Sequence, residues 1–195
     1  MERGFSGFSR AERRRRLIDR CDADMFVCLK NIFSSDSLDG IILREYADLD
    51  VPCQEIYRMI SAMESVGVHV HRQLVIRLLG IHPAQIGATL ARLTDIIQEQ
   101  TINERQGIYA WRGRHPVISK IVADHKYYDT KSRYDMFDRV IGALSPSFDI
   151  EIRTIRDLCN GETGIVTIGD KDRQNVLLRK LMSVAPGERE YRVIG

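Results

Sequence analysis

The sequence predicts a mainly α-helical chain carrying one small β-element. Three observations lead there. Apolar residues recur at i, i+3, i+4 and i+7 over most of the 195 residues, the spacing of a helix with one buried face. Between residues 96 and 112 that spacing gives way to two β-rich runs around a polar tip. Asp, Ser, Pro and Gly stand where helices start and stop. In chain order these give a helical bundle, a winged-helix domain with a small β-wing, and helical-repeat-like hairpins. The expected divisions are a lid-like helical segment over 1–50, the winged helix over 51–126 and a helical arm over 127–195.

The chain opens with an arginine-dense helix, Arg10 and Arg13 to Arg16, whose apolar residues are Leu17 and Ile18. Such a run either grips phosphates or forms a solvated face. Asp22 is placed to cap a second helix with Met25, Phe26, Leu29, Ile32 and Phe33 inward. Ser37 is placed to cap a third, carrying Leu38, Ile41, Ile42 and Tyr46. Asp50-Val51-Pro52 starts a fourth with Ile56, Met59, Ile60 and Met63, and these four helices are expected to pack as a bundle.

The central unit begins with a short helix bearing Leu74, Leu78 and Leu79, closed by Gly80. Pro83 occupies the first position of the next helix, where a missing N–H costs nothing, and Ile86, Leu90 and Leu93 share one face. Strands follow over Ile96 to Thr101 and Ile108 to Arg112, separated by Asn103-Glu104-Arg105-Gln106-Gly107. Gly113 ends the second strand. A helix then starts at Pro116 with Val117, Ile118, Ile121 and Val122 facing inward, directly after Arg114-His115.

Beyond it Tyr134, Phe137, Ile141 and Leu144 mark one helix, and Ser145-Pro146-Ser147 ends it and caps the next, which carries Ile152, Ile155 and Leu158. The glycines at 161, 164 and 169 mark a loop. Asp170 caps a last helix with Val176, Leu177, Leu181 and Met182. Val193 and Ile194 have no following element to pack on, as expected of a piece of a longer protein.

A hydrophobic content of 44% suffices for one large or two small cores, and a net charge of +2 gives no long-range pull on a polyanion. Cys21, Cys28, Cys53 and Cys159 lack metal or redox spacing and lie inside apolar patterns, as reduced core thiols do. No apolar run approaches the roughly 20 residues of a membrane span. The expectation is a cytoplasmic chain that binds no membrane.

Local signals for chemistry have simpler readings. Gly161-Glu162-Thr163-Gly164 lacks the Lys-Ser/Thr pair of a phosphate loop. His69 and His71 point the same way on an extended segment but have no third ligand at metal spacing. No Ser or Cys comes with a nucleophile elbow, and Asp19, Asp22 and Asp24 look like helix-terminal charges. Trp111 is expected to anchor the wing to the core. The chain reads as non-enzymatic, with no metal.

In order of elements the chain resembles the part of a STAND-class (NACHT/NB-ARC-like) P-loop ATPase that follows the nucleotide-binding core: helical lid, winged helix, start of a helical-repeat arm. The stretches carrying the resemblance are Asp39-Gly40-Ile41-Ile42-Leu43-Arg44-Glu45-Tyr46, Val75-Ile76-Arg77-Leu78-Leu79-Gly80-Ile81 and Arg114-His115-Pro116-Val117-Ile118. In that family a histidine in a Met-His-Asp motif contacts the β-phosphate of ADP and holds the switch closed. His115 matches it; Arg114 replaces the Met and Pro116 the Asp. The resemblance implies nucleotide sensing by His115 supported by Arg114. It implies no cofactor in this chain alone, and ADP or ATP once it is joined to a P-loop core in the same or another chain. It also implies oligomer assembly on activation and, in bacterial relatives, antiviral defence. A histidine before a helix N-terminus suits the role physically, because unpaired N–H groups and the helix dipole favour an anion there.

The alternative is a DNA-binding winged helix, in which Gln85, Thr89 and Arg92 would face outward to read bases. Only Arg92 is basic on that face, so phosphate contacts are scarce and nucleic-acid binding is not the expected role.

Overall fold

The computed structural model describes residues 8–21 and 35–187, which divide into two compact units, 1–48 and 49–195. The helix expected behind Asp22 lies outside the described residues, as do Cys28, Val193 and Ile194.

The first unit contains α1 (Arg10–Cys21) and α2 (Ser35–Ala47). Ser9 Oγ accepts from the Glu12 N–H at 3.2 Å, which satisfies a donor in the first turn of α1. Helix α2 starts two residues before Ser37, so Ser37 does not cap it. Ile42 and Tyr46 are buried, whereas Ile41 is 57% exposed despite its helical spacing.

The second unit opens with α3 (Val51–Ser65), where Asp50 Oδ1 accepts from the Cys53 N–H at 3.0 Å. Expected as the fourth member of an N-terminal bundle, α3 instead belongs to this unit and packs mainly along α6 (Pro116–Lys126). Ile56, Ile60 and Met63 supply its buried stripe. After a turn at Gly67 come β1 (Val70–His71), α4 (Arg72–Leu79), a 3₁₀ turn (Pro83–Gln85) and α5 (Ile86–Arg92). Gly80 ends α4 at φ 62°, a left-handed conformation that glycine adopts without a Cβ clash.

β2 (Ile97–Asn103) and β3 (Ile108–Gly113) form a hairpin, and β1 joins the other edge of β3, giving an antiparallel sheet of order β1-β3-β2. Trp111 lies opposite Val70 on one side and Glu99 on the other. It is buried, and its Nε1 donates to Glu99 Oε2 at 2.8 Å, which links β3 to β2 within the hairpin.

The remaining helices are α7 (Thr130–Ala143), α8 (Asp149–Leu158) and α9 (Lys171–Val184), with a 3₁₀ turn over Gly164–Thr167. Asp129 and Asp170 cap α7 and α9 through backbone N–H groups. Phe148 rather than Ser147 is the N-cap residue of α8. Helix α7 packs on α4 and α9, while α8 lies against β1 and the 3₁₀ turn. The boundary expected at 126 therefore falls inside one packed unit. Among the described residues no single helix is long and apolar enough to cross a membrane.

Candidate regulatory site at the start of α6

Strand β3 runs into α6 through Arg114 and His115, and each residue is held by backbone bonds before its side chain is considered. The Arg114 N–H donates to Ile96 O at 3.0 Å, closing the base of the β2–β3 hairpin, and the His115 carbonyl accepts from Ser119 N at 3.0 Å. His115 is extended and half-buried, and its Nδ1 accepts from the Val117 N–H at 3.1 Å. That makes it the N-cap of α6, with Pro116 in the first turn where no N–H is needed. With Nδ1 as acceptor the neutral ring carries its proton on Nε2. The Arg114 Nη1 donates to the Asp95 carbonyl at 3.4 Å.

Glu64, from the end of α3, locks this corner. Its Oε2 accepts from the Gly113 N–H at 2.8 Å and from Ser119 Oγ at 2.5 Å, joining α3, β3 and α6. A Cβ at position 113 would lie 2.1 Å from Ser119 Oγ and 2.7 Å from Glu64 Oε2, so the strand ends in glycine for lack of room. Beside the corner an open cleft of about 170 Å³ is lined by Glu64, Val68, His69, Gln100, Trp111 and Pro116, among others. Nothing in the sequence around Glu64 announced it, since its partners lie 49 and 55 residues away.

The residues of the alternative site do not form one outward face. Gln85 is exposed, at the end of the 3₁₀ turn. Thr89, expected to face outward, is only 4% exposed. The seven-residue α5 begins after a 3₁₀ turn, whose tighter winding alters the phase of the face, and Thr89 is buried with Leu93 four residues on. Arg92 is paired with Asp50, the cap of α3. The Asp50 carboxyl sits below the usual carboxylate range, held there first by its hydrogen bond with the Cys53 thiol, then by the Cys53 backbone N–H and by Arg92.

His69 and His71 do face the same element, but it is α8. His69 Nδ1 lies 2.9 Å from Asp157 Oδ2, and His71 Nδ1 lies 3.9 Å from Oε1 of the buried Glu151. Between them Thr154 Oγ1 donates to the His69 carbonyl at 2.9 Å. Among the described residues no group of three or more His, Cys, Asp or Glu side chains is arranged to hold a metal. The loop at 161–164 is built for packing. Asn160 Oδ1 accepts from the Glu162 and Thr163 N–H groups, and the Gly164 N–H donates to Val66 O at 2.8 Å. Cys53 and Cys159 are buried thiols outside any disulfide, and burial is the first cause that pushes the Cys53 pKa up to about 11.

No protein-family model, curated protein or solved structure matches this chain.

Proposed function

We infer that the chain is a non-catalytic regulatory segment of winged-helix architecture that works against a P-loop nucleotide-binding core, as in STAND-class switch ATPases. Three features support the architectural half. The order helix, strand, helix, helix, strand, strand over α3 to β3 is that of a winged helix. The sheet order β1-β3-β2 places the wing hairpin beside the short first strand. Helix α4 and the segment Pro83–Arg92 are bent by 115° at the break that begins with Gly80, within the range of a helix-turn-helix.

The observation that carries the functional half is His115 itself, at the N-cap of the helix that follows the wing. A helix start favours an anion, and the Nε2–H of the capping ring is a donor suited to a phosphate oxygen. Joined to a nucleotide core, His115 would supply one hydrogen bond to bound ADP and Arg114 a nearby positive charge. The winged unit would pack closed in the ADP state and swing away on activation, which requires contacts that differ between the two states.

The test is to purify the natural gene product containing this chain, extract its nucleotide and time ADP release. Stoichiometric ADP, released faster after His115→Asn, supports the reading. Absence of nucleotide, or a sequence-specific DNA footprint abolished by changing Gln85 or Arg92, overturns it in favour of the DNA-binding alternative.

A further inference from the structure

The arginine-dense helix α1 belongs to the first unit, and its described arginines sort into two groups. Arg15 is engaged within the helix, its Nε 3.8 Å from Glu12 Oε2 and 3.7 Å from Asp19 Oδ2. Arg10, Arg13 and Arg14 are exposed and have no ion-pair partner among the described residues. Positions i, i+3 and i+4 adjoin on a helix surface, so these three cations share one face and repel one another. An anion spread along the face would relieve that repulsion.

We propose that the Arg10/Arg13/Arg14 face of α1 binds the phosphate backbone of a nucleic acid without reading its sequence. Charge complementarity selects a polyanion, and the residue type narrows the choice. Each guanidinium is a planar fork that meets phosphate oxygens in pairs, which an ammonium cannot do. Four residues of helix rise about 6 Å, so the three long side chains can reach successive phosphates along one strand. A membrane surface fits less well. A helix lying in a lipid interface buries a broad apolar face, whereas the large apolar residues of α1 are Leu17 and Ile18, and Ile18 is half exposed. The site is far in sequence from Gln85 and Arg92 and is independent of the His115 reading.

The experiment uses the full chain and a fluorescein-labelled 20-base-pair DNA duplex, read by anisotropy from 50 to 200 mM salt. Binding should fall in the non-specific range, with Kd roughly 10⁻⁴ to 10⁻⁶ M at the low-salt end, and be the same for two unrelated sequences. Three phosphate contacts correspond to a slope of about −2.7 in log K against log salt, or about 40-fold weaker binding over that range. The triple variant Arg10→Gln/Arg13→Gln/Arg14→Gln should lose at least tenfold in affinity and most of the slope. Glutamine keeps the helix, and an unchanged thermal melt verifies it. Arg92→Gln should bind as the parent does. Unchanged affinity in the triple variant overturns the proposal, as does tighter binding to phosphatidylserine vesicles or to polyglutamate than to DNA.

Discussion

One guanidinium nitrogen of Arg77, on α4, donates to both carboxylate oxygens of Glu151, on α8, at 2.8 Å each, across 74 residues of chain. Glu151 is fully buried and also accepts from the Ser145 N–H at 2.7 Å. Burial by itself would raise its pKa. The pull of His71, the Ser145 N–H and Arg77 outweighs burial and holds the carboxyl below its ordinary range. The group is therefore charged inside the protein, and it ties α8 to α4.

Removing one partner of such a pair is more damaging than removing both, because a buried charge is left uncompensated. Arg77→Ala should cost about 2 to 4 kcal/mol, the lower part of the range for buried pairs because the guanidinium is partly exposed. Arg77→Met/Glu151→Leu should recover more than half of that loss. Urea denaturation of the single and double variants measures both. A double variant less stable than Arg77→Ala would contradict the account. Since the folded pKa of Glu151 is depressed, its contribution is present above the unfolded carboxyl pKa and disappears as pH falls through the folded one.

At the corner held by Glu64, Gly113→Ala should destabilise by about 1 to 3 kcal/mol through overpacking. The new methyl displaces Ser119 Oγ and Glu64 Oε2 from their shared bond. Adding Ser119→Gly should return part of the loss by opening the nearest clash. Thermal melts of the two variants decide it, and equal melting of Gly113→Ala and parent would show that the corner yields freely.

His69 gives a pH dependence of opposite sign. Its pKa is raised, first by its hydrogen bond with Asp157, against the opposing effects of burial and Arg153. A raised histidine pKa contributes stability fully below the unfolded value of about 6.5 and loses it as pH rises through the folded value. The urea midpoint should fall between pH 6 and pH 8.5, and Asp157→Ala should flatten that fall. The same slope in both proteins would assign the pH dependence to other groups.

For His115 the two roles come apart by substitution. His115→Ala removes the cap on Val117 N and should lower stability by about 1 kcal/mol, while His115→Asn keeps a capping oxygen and should restore most of it. Thermal melting of the chain compares them. If asparagine and alanine destabilise equally, capping is not what the imidazole contributes.

Helix starts were legible in the sequence because capping is local. Asp50 and Asp170 each bond to N–H groups two or three residues ahead, and Gly80 ends α4 through its own backbone freedom, whereas the cap at Asp129 emerged only from the structure. The β2–β3 hairpin was legible for a similar reason, since a β-rich pair around a polar tip can pair with itself. Tertiary structure decided which side of each element counts as inside. Periodicity marks a stripe only to within a residue, so Ile41 and Ile42 were equivalent on paper, and Thr89 sat on a boundary that the packing of a seven-residue helix resolved inward. It also chose the partners of the charges. Arg92 met Asp50, Arg77 met Glu151 and Glu64 met Gly113 across 42, 74 and 49 residues, distances over which no local pattern carries information. A charged side chain in a sequence declares its sign, and only the folded chain determines whether that charge is spent on a neighbour or left facing solvent.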